Sequence, residues 1–122
     1  MKLHPAWFSQ RVYECIELLF MRLNEDLKLI SYENQKYQIL DPDLVGLDKF
    51  WYIYFYSPEQ KVAKKCKEFL WRLASYENSE DIKRKVYEKY IDKILRIMQD
   101  SKAEEIEEIH IRGFEIIEKM MT

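Results

Sequence analysis

Apolar residues recur three or four positions apart along most of the chain, and this spacing restricts its fold more than any other feature. The first run places its apolar side chains on one helical face: Phe8, Val12, Cys15, Ile16, Leu19, Leu23, Leu27 and Ile30. Such a period is typical of an amphipathic helix that packs on one side. The spacing predicts a first helix over about residues 5–30, with Pro5 in its first turn.

The next stretch changes pattern twice. Residues 31–43 lose the helical period and end in an Asp-Pro-Asp turn signal, so we expect a connection there. Helical spacing returns over about residues 43–56, with Asp43 at the N-cap. The alternative is a β-strand over residues 50–56, because aromatic residues favour strands. The helix is favoured, since a single strand would have no pairing partner.

Three further helices are marked by their first residues. The sequence Ser57–Gln60 has the form of a capping box with proline in the first turn, and it predicts the start of a third helix. Asn78 or Ser79 is expected to cap a fourth helix. A second capping box, Ser101–Glu104, predicts a fifth. Within that helix, Gly113 indicates a close crossing with a neighbouring helix.

Five amphipathic helices joined by short connections can bury their apolar faces only against one another. The predicted fold class is therefore all-α, either a five-helix bundle or a right-handed α-α superhelix of the armadillo or HEAT type. Residues 1–122 are expected to form a single helical domain, or a segment of a longer helical-repeat protein. The expected inner residues of the last three helices are Val62, Cys66, Phe69, Leu70 and Leu73; Ile82, Val86, Tyr90, Ile94, Ile97 and Met98; and Ile106, Ile109, Phe114, Ile117 and Met121.

The first and last helices carry more apolar residues than one packed face needs. A surplus of this kind is typical of a helix that packs on a further element, such as a protein partner, a neighbouring helical repeat or a second copy in a homodimer. The alternative is a bulky edge of an ordinary packed face. The predicted partner-binding residues are Trp7, Phe20, Ile111, Ile116 and Met120.

Few residues that could support catalysis are present. A nucleophile triad needs a histidine base, and only His4 and His110 are available. The two glycines, Gly46 and Gly113, stand alone and form no glycine-rich phosphate loop. Di-metal bundles need two Glu-x-x-His pairs, and the chain has one, ending at His110. We therefore expect no enzymatic activity, no bound metal and no cofactor.

Several features indicate an intracellular, cytoplasmic protein. The longest apolar runs are well short of the roughly 18 residues that suggest a membrane span. The first residues lack the apolar core of a secretory signal. Cys15 and Cys66 lie on apolar helical faces, which predicts buried, reduced thiols. We expect no membrane partner.

Charge is unevenly distributed along the chain. The net charge of −2 and a pI near 5.8 disfavour a dedicated polyanion binder. Residues 61–102 nevertheless carry a net charge of +5, and residues 103–122 carry −4. The basic residues of the predicted third and fourth helices could contact RNA phosphates, although pairing with the acidic fifth helix is favoured. They are Lys61, Lys64, Lys65, Arg72, Lys85, Lys89, Lys93 and Arg96.

One segment resembles a known family. The sequence Asp43–Trp51 is followed by Ser57, by the pair Val62-Ala63 and by the apolar run Cys66–Leu73. With these residues, positions 41–74 resemble part of the helical-repeat region of very large ubiquitin-specific proteases of the fat-facets type. In that family a Gly-Leu-Asp-x-Leu-Trp helix precedes a serine-containing turn and a helix that begins near an Ile-Ala or Val-Ala pair.

The resemblance implies an armadillo-like scaffold outside the catalytic domain of a deubiquitinase in the ubiquitin conjugation pathway. It implies that Gly46 allows a close approach, that Asp48 supports the start of the second helix, and that Trp51 anchors the packing of the second helix on the third. The family's cysteine and histidine boxes lie in a separate domain and match nothing here. The expected function is therefore non-catalytic protein–protein interaction, and the alternatives are a free-standing adaptor that self-associates or, less favoured, an RNA-associated helical domain.

Overall fold

The computed structural model describes residues 9–76, 78–100 and 106–121. A helical fold is confirmed, and a two-stranded antiparallel sheet is added to it. The elements are α1 (Gln10–Asp26), β1 (Ile30–Glu33), β2 (Lys36–Ile39), α2 (Leu47–Tyr56), α3 (Gln60–Ser75), α4 (Glu80–Asp100) and α5 (Ile106–Met121). None of the helices within these ranges has both the length and the apolar character needed to span a membrane.

The short helix α2 lies at the centre of the core. The helix is confirmed over the strand alternative, and half of its ten residues are buried. Helices α3 and α5 both pack against it, and they also pack against each other and against α4. The buried residues of α2 are Phe50, Trp51, Ile53, Tyr54 and Phe55.

Helix α1 ends four residues before the predicted boundary. Lys28 adopts a left-handed conformation with φ of 61°. Its amide donates to the carbonyl of Glu25 (3.0 Å), and the amide of Leu29 donates to the carbonyl of Asn24 (2.9 Å). This pair of bonds is the Schellman pattern that closes a helix, usually at glycine. Because a lysine and not a glycine occupies the position, the sequence carries no clear stop signal there, and apolar spacing alone predicts a helix as far as Ile30.

Serine side chains cap the first turns of α1 and α4. The Oγ of Ser9 accepts from the amide of Val12 (3.3 Å), so α1 begins at Gln10 and not near Pro5, which lies outside the described residues. The Oγ of Ser79 accepts from the amide of Ile82 (3.3 Å), which confirms Ser79 as the cap of α4. The predicted capping box at 101–104 also lies outside the described ranges.

Two other predicted starts are wrong. Helix α2 is preceded by Gly46 in a left-handed conformation with φ of 88°, and Asp43 lies three residues before that cap. Helix α3 is capped by the side chain of Glu59, whose carboxylate accepts from the amide of Lys61. Ser57 instead ends α2 and accepts from the amide of Glu59 through its Oγ (3.3 Å). The apparent capping box therefore marks the end of one helix more than the start of the next.

The predicted connection over 31–43 contains the β-hairpin. Ile30 pairs with Ile39 at its base, and both side chains are buried. The two-residue turn Asn34-Gln35 has positive φ at both positions, 52° and 63°, as the favoured hairpin turns require. Glycine at the second position would have signalled this turn, and the glutamine there concealed it.

The hairpin is attached to the connection between α3 and α4. The amide of Ile39 donates to the Oδ1 of Asn78 (2.7 Å), and the ring of Tyr37 stacks on Tyr76 at 5.7 Å. Asn78, the alternative cap of α4, is therefore used to hold a strand. Tyr32 lies on the other side of Tyr37, with ring centroids 4.5 Å apart.

The predicted inner face is confirmed for α3 and α4 but is wrong for α1. The buried residues of α1 are Tyr13, Phe20, Met21 and Asn24. The predicted stripe is half-buried at Ile16 and exposed at Val12, Cys15, Leu19, Leu23 and Leu27, while Phe8 lies outside the described residues. Helix α1 is thus rotated by about one residue, roughly 100°, from the orientation that apolar spacing predicts.

Aromatic contacts fix this rotation. The ring of Phe20 lies 4.9 Å from Phe50 of α2 and 5.6 Å from Phe69 of α3, in edge-to-face geometry. Tyr13 also meets Phe50 edge-on, at 6.0 Å. Edge-to-face ring pairs add to the free energy gained by burial. The inner side of α1 is therefore the side with the larger rings.

A buried asparagine holds α1 in the same orientation. Asn24 accepts from the amide of Val45 (2.8 Å) and donates to the carbonyls of Val45 (3.0 Å) and Phe20 (2.9 Å). These bonds pair its amide group with the backbone just before α2. A buried amide without such partners would be destabilising, so the contact ties one rotation of α1 to one path of the connection.

Helix α5 departs from its predicted face in a similar way. Ile109 and Ile116 are buried, whereas Phe114 and Met121, which were predicted to point inward, are exposed. The close crossing predicted at Gly113 is confirmed, since a Cβ atom there would lie 2.6 Å from the Sδ of Met98 on α4.

Trp51 is a core residue, but its partner differs from the expected one. The side chain is buried and meets Tyr90 of α4 edge-on, with ring centroids 4.9 Å apart, and it stacks on Phe55 at 6.3 Å. The ring contact thus joins α2 to α4, whereas the expected contact was with α3.

We predict that Trp51→Ala lowers the free energy of unfolding by about 3–5 kcal/mol, the range for truncation of a buried large aromatic. The matched control is Tyr52→Ala on the exposed side of the same helix, which should cost about 1 kcal/mol or less. Urea denaturation followed by circular dichroism measures both values. Equal losses in the two variants would contradict the central position of Trp51.

Candidate functional site

The most unusual surface of the molecule is the solvent side of α1. We call it the α1 outer face, and it consists of Val12, Cys15, Leu18, Leu19, Leu23 and Leu27. The exposed fractions of its five aliphatic side chains are 43% for Val12, 71% for Leu18, 68% for Leu19, 44% for Leu23 and 49% for Leu27. Isolated exposed leucines are ordinary, but contiguous apolar surface marks interaction sites.

These residues form a continuous stripe. At 100° per residue, positions 12, 15, 19, 23 and 27 fall within a sector about 120° wide, and Leu18 lies about 60° outside it, on the side of Cys15. With a rise of 1.5 Å per residue, the stripe is about 22 Å long. It therefore has the width and length of a helix-packing surface, of the kind that amphipathic helices present to a partner.

The opposite edge of α1 is charged and faces α3. Glu14 pairs with Lys65 at 2.6 Å, and Glu17 pairs with Arg72 at 3.4 Å. A groove of about 260 Å³ between the two helices is lined by three carboxylates and three cations, whose charges cancel. The groove residues are Glu14, Glu17, Lys64, Lys65, Glu68 and Arg72. Exposed pairs of this kind contribute little stability, but they leave the apolar stripe on the solvent side.

The structure separates the residues that were predicted to bind a partner. Phe20 and Ile116 are buried in the core, so their assignment to a surface is wrong. Ile116 is buried because α5 packs on three helices, α2, α3 and α4. Ile111 is exposed and Met120 is half-buried. Trp7 lies outside the described residues.

The two cysteines have different environments. Cys66 is buried, as predicted, and its Sγ donates to the carbonyl of Phe50 (3.0 Å). Burial raises the pKa of the Cys66 thiol well above its usual range, so it stays protonated and unreactive. Cys15 is exposed on the α1 outer face, which corrects the prediction that both thiols are buried.

The basic residues of α4 are paired with carboxylates. Lys85 lies 3.1 Å from Asp81, Arg96 lies 3.2 Å from Asp92, and both acids belong to α4 itself. Hydrogen bonding to Lys85 lowers the pKa of Asp81. Lys93 contacts Asp48 at 3.2 Å.

Lys89 also forms an ion pair, with Asp43 in the connection before α2. The acidic partners of the four α4 cations therefore come from α4, from this connection and from α2. Pairing with the acidic fifth helix was expected within one chain or between chains, and for these four cations the described part of the chain contradicts the pairing within one chain.

Gly46 and Asp48 belong to the segment that resembles the protease family, and both lie at the start of α2. Gly46 has φ of 88°, and a Cβ atom there would lie 3.6 Å from Phe20, an ordinary contact distance. The glycine is therefore required by its conformation and not by a close approach. Asp48 lies in the first turn of α2, where a negative charge favours the helix dipole.

The groups considered for catalysis are in structural positions. The Nε2 of His110 lies 3.4 Å from the carbonyl oxygen of Met98, and His4 lies outside the described residues. Burial raises the pKa values of Tyr54 and Tyr90, whose hydroxyls donate to the carbonyls of Arg112 (2.6 Å) and Leu70 (2.8 Å). Across residues 9–76, 78–100 and 106–121, no three His, Cys, Asp or Glu side chains are grouped to hold a metal ion.

A buried cation, Arg112, lies at the end of α2. Its Nη1 donates to the carbonyls of Tyr54 (2.8 Å) and Phe55 (3.1 Å), and its Nε contacts Glu108 at 3.1 Å. Residue 58 is proline, which has no amide hydrogen to continue the helix. Arg112 therefore supplies hydrogen-bond donors to the last carbonyl groups of α2, which have no partner within the helix. Its positive charge also complements the negative end of the helix dipole. Its position indicates a structural role, which sequence reasoning missed.

No protein family, curated protein or solved structure matches this chain.

We predict that Arg112→Ala lowers the free energy of unfolding by about 2–4 kcal/mol, because it leaves buried carbonyl groups without a donor. The control is Arg96→Ala, whose side chain is exposed and paired within α4, and it should cost about 0.5 kcal/mol. Chemical denaturation of both variants gives the comparison. A wild-type midpoint for Arg112→Ala would show that the carbonyls of α2 find other partners.

Proposed function

We propose that this chain is a non-catalytic helical domain that binds a protein through the α1 outer face. The observation that supports this proposal is the concentration of exposed apolar side chains on one side of one helix. The core does not use them, because aromatic rings and Asn24 turn the other side of α1 inward. An exposed apolar stripe lowers its free energy when a partner removes it from water.

The helix-packing form of the surface favours a protein over other ligands. The stripe is about one helix wide, Arg11 and Arg22 border it on one side, and Asp26 lies at its C-terminal end. An apolar centre with a polar rim is the usual anatomy of a protein interface. A partner helix could pack its own apolar residues along the stripe, as in other helix-groove complexes.

RNA binding remains the less favoured alternative. It would use the basic residues of α3 and α4, but Lys85, Lys89, Lys93 and Arg96 each lie within ion-pair distance of a carboxylate. Phosphate binding would have to displace these carboxylates, which reduces the gain from each contact.

The resemblance of residues 41–74 leads to a narrower proposal: the domain belongs to the helical scaffold of a large ubiquitin-specific protease and holds its substrates or partners. The helical fold is compatible with it. The packing of α5 on α2 and α3 favours a closed bundle over an open armadillo-type stack. A reading frame that continues into a papain-like domain with cysteine and histidine boxes would support the narrower proposal, and a frame encoding no such domain would remove it.

We predict that a photo-crosslinking amino acid at Leu18 captures protein when the chain is expressed in its cells of origin. Leu18 is the most exposed aliphatic residue of the α1 outer face, so the reactive group would face a bound partner. The control carries the same group at Leu40, an exposed leucine outside α1. Protein adducts from position 18 and not from position 40, detected by mass spectrometry, are the expected result.

The same experiment can contradict the proposal. Equal adducts from both positions, or RNA adducts without protein, would mean that the α1 outer face is not the working surface.

A further inference from the structure

The order of residues along the α1 outer face indicates which protein covers it. The stripe runs through positions 12, 15, 19, 23 and 27, with steps of three, four, four and four. Read in the reverse direction, the steps are nearly the same. Two copies of α1 packed antiparallel about a twofold axis near Leu19 would therefore match apolar residue to apolar residue. Residue 15 would face residue 23, and residue 12 would face residue 27.

Charge placement distinguishes this arrangement from a parallel one. Arg11 is exposed at the first end of the stripe, and Asp26 is exposed at the other end. Antiparallel pairing brings Arg11 of one copy close to Asp26 of the second, and the symmetry repeats this contact at the opposite end. Parallel pairing would bring like charges together at both ends, which is unfavourable.

We propose that the α1 outer face binds a second copy of this chain as an antiparallel, twofold-symmetric pair of α1 helices centred near Leu19. This inference rests on the proposed function and names the partner of the same surface. The interface is isologous, so each copy buries the same apolar stripe. Its apolar centre supplies most of the affinity, and the two Arg11–Asp26 contacts select the antiparallel direction.

Sedimentation of the purified 122-residue chain over a wide range of protein concentration tests the inference. The expected result is a reversible monomer–dimer equilibrium. Leu19→Glu places two carboxylates together at the axis, so its dimer dissociation constant should rise about a hundredfold or more. Leu40→Glu, an equivalent change of an exposed leucine outside α1, should leave the constant unchanged. Circular dichroism checks that both variants keep their helicity.

A charge exchange tests the direction of the helices. Arg11→Glu alone and Asp26→Arg alone should each weaken the dimer several-fold, because each creates two like-charge contacts. The double variant Arg11→Glu/Asp26→Arg restores opposite charges at both ends and should recover most of the affinity. A double variant as weak as the product of the two single variants would overturn the antiparallel arrangement.

A cysteine placed at the axis tests the register. In a Cys15→Ser background, Leu19→Cys should form a disulfide between two copies under mild oxidation, since a residue on the axis faces itself. Leu40→Cys in the same background should remain monomeric. Failure of Leu19→Cys to crosslink in a chain that sediments as a dimer would overturn this register.

Failure of this inference can be distinguished from failure of the proposed function. A chain that is monomeric at every concentration, while the probe at Leu18 captures a different protein in cells, would overturn self-association and retain protein binding. A monomeric chain whose position 18 gives no selective protein adduct would overturn both.

Discussion

Half of the ten residues of helix α2 are large apolar or aromatic residues that are buried, and a helix of that kind must be covered by several neighbours. Phe50 faces α1 and α3, Trp51 faces α4, and Tyr54 bonds to the backbone of α5. The other four helices are thus arranged around ten residues. The same segment is too short to be stable alone, so its helical form depends on these contacts. The end of α2 also depends on another helix. Pro58 has no amide hydrogen to donate to the carbonyl of Tyr54, and Arg112 of α5 donates to it instead.

This central helix determines which side of α1 is used. Covering Phe50 requires large rings, and on α1 these are Tyr13 and Phe20. Burying the leucine stripe instead would move Asn24 away from the backbone of Val45 and leave its amide without those bonds. The rotation of α1 therefore satisfies the core at the cost of exposed leucines. The exposed apolar surface left by this compromise is the observation from which we propose a protein partner.

The sequence predicted the helical class, the presence of four helices after α1, and the inner faces of α3 and α4. The predicted boundaries of α1 and of the hairpin turn were wrong because a residue other than glycine adopts positive φ at each of them. Lys28 closes α1 and Gln35 completes the hairpin turn, both at positive φ where glycine or asparagine is the common signal. The predicted start of α3 was wrong for another reason. Ser57 ends α2, and its Oγ accepts from the amide of Glu59. Local patterns did not reveal which helix a capping residue serves.

The sequence predicted surplus apolar residues on α1, but it did not predict which of them would be exposed. Apolar spacing measures how wide the apolar sector of a helix is, and α1 was correctly found to be wider than one face. It does not tell which half of that sector is inside, because the decision depends on residues of other elements, here Phe50, Phe69 and Val45. A polar residue such as Asn24 within the aromatic half was the available signal. Where a buried amide can bond to the backbone of a neighbouring segment, it favours the inner side, and the aliphatic side of the helix then faces the solvent.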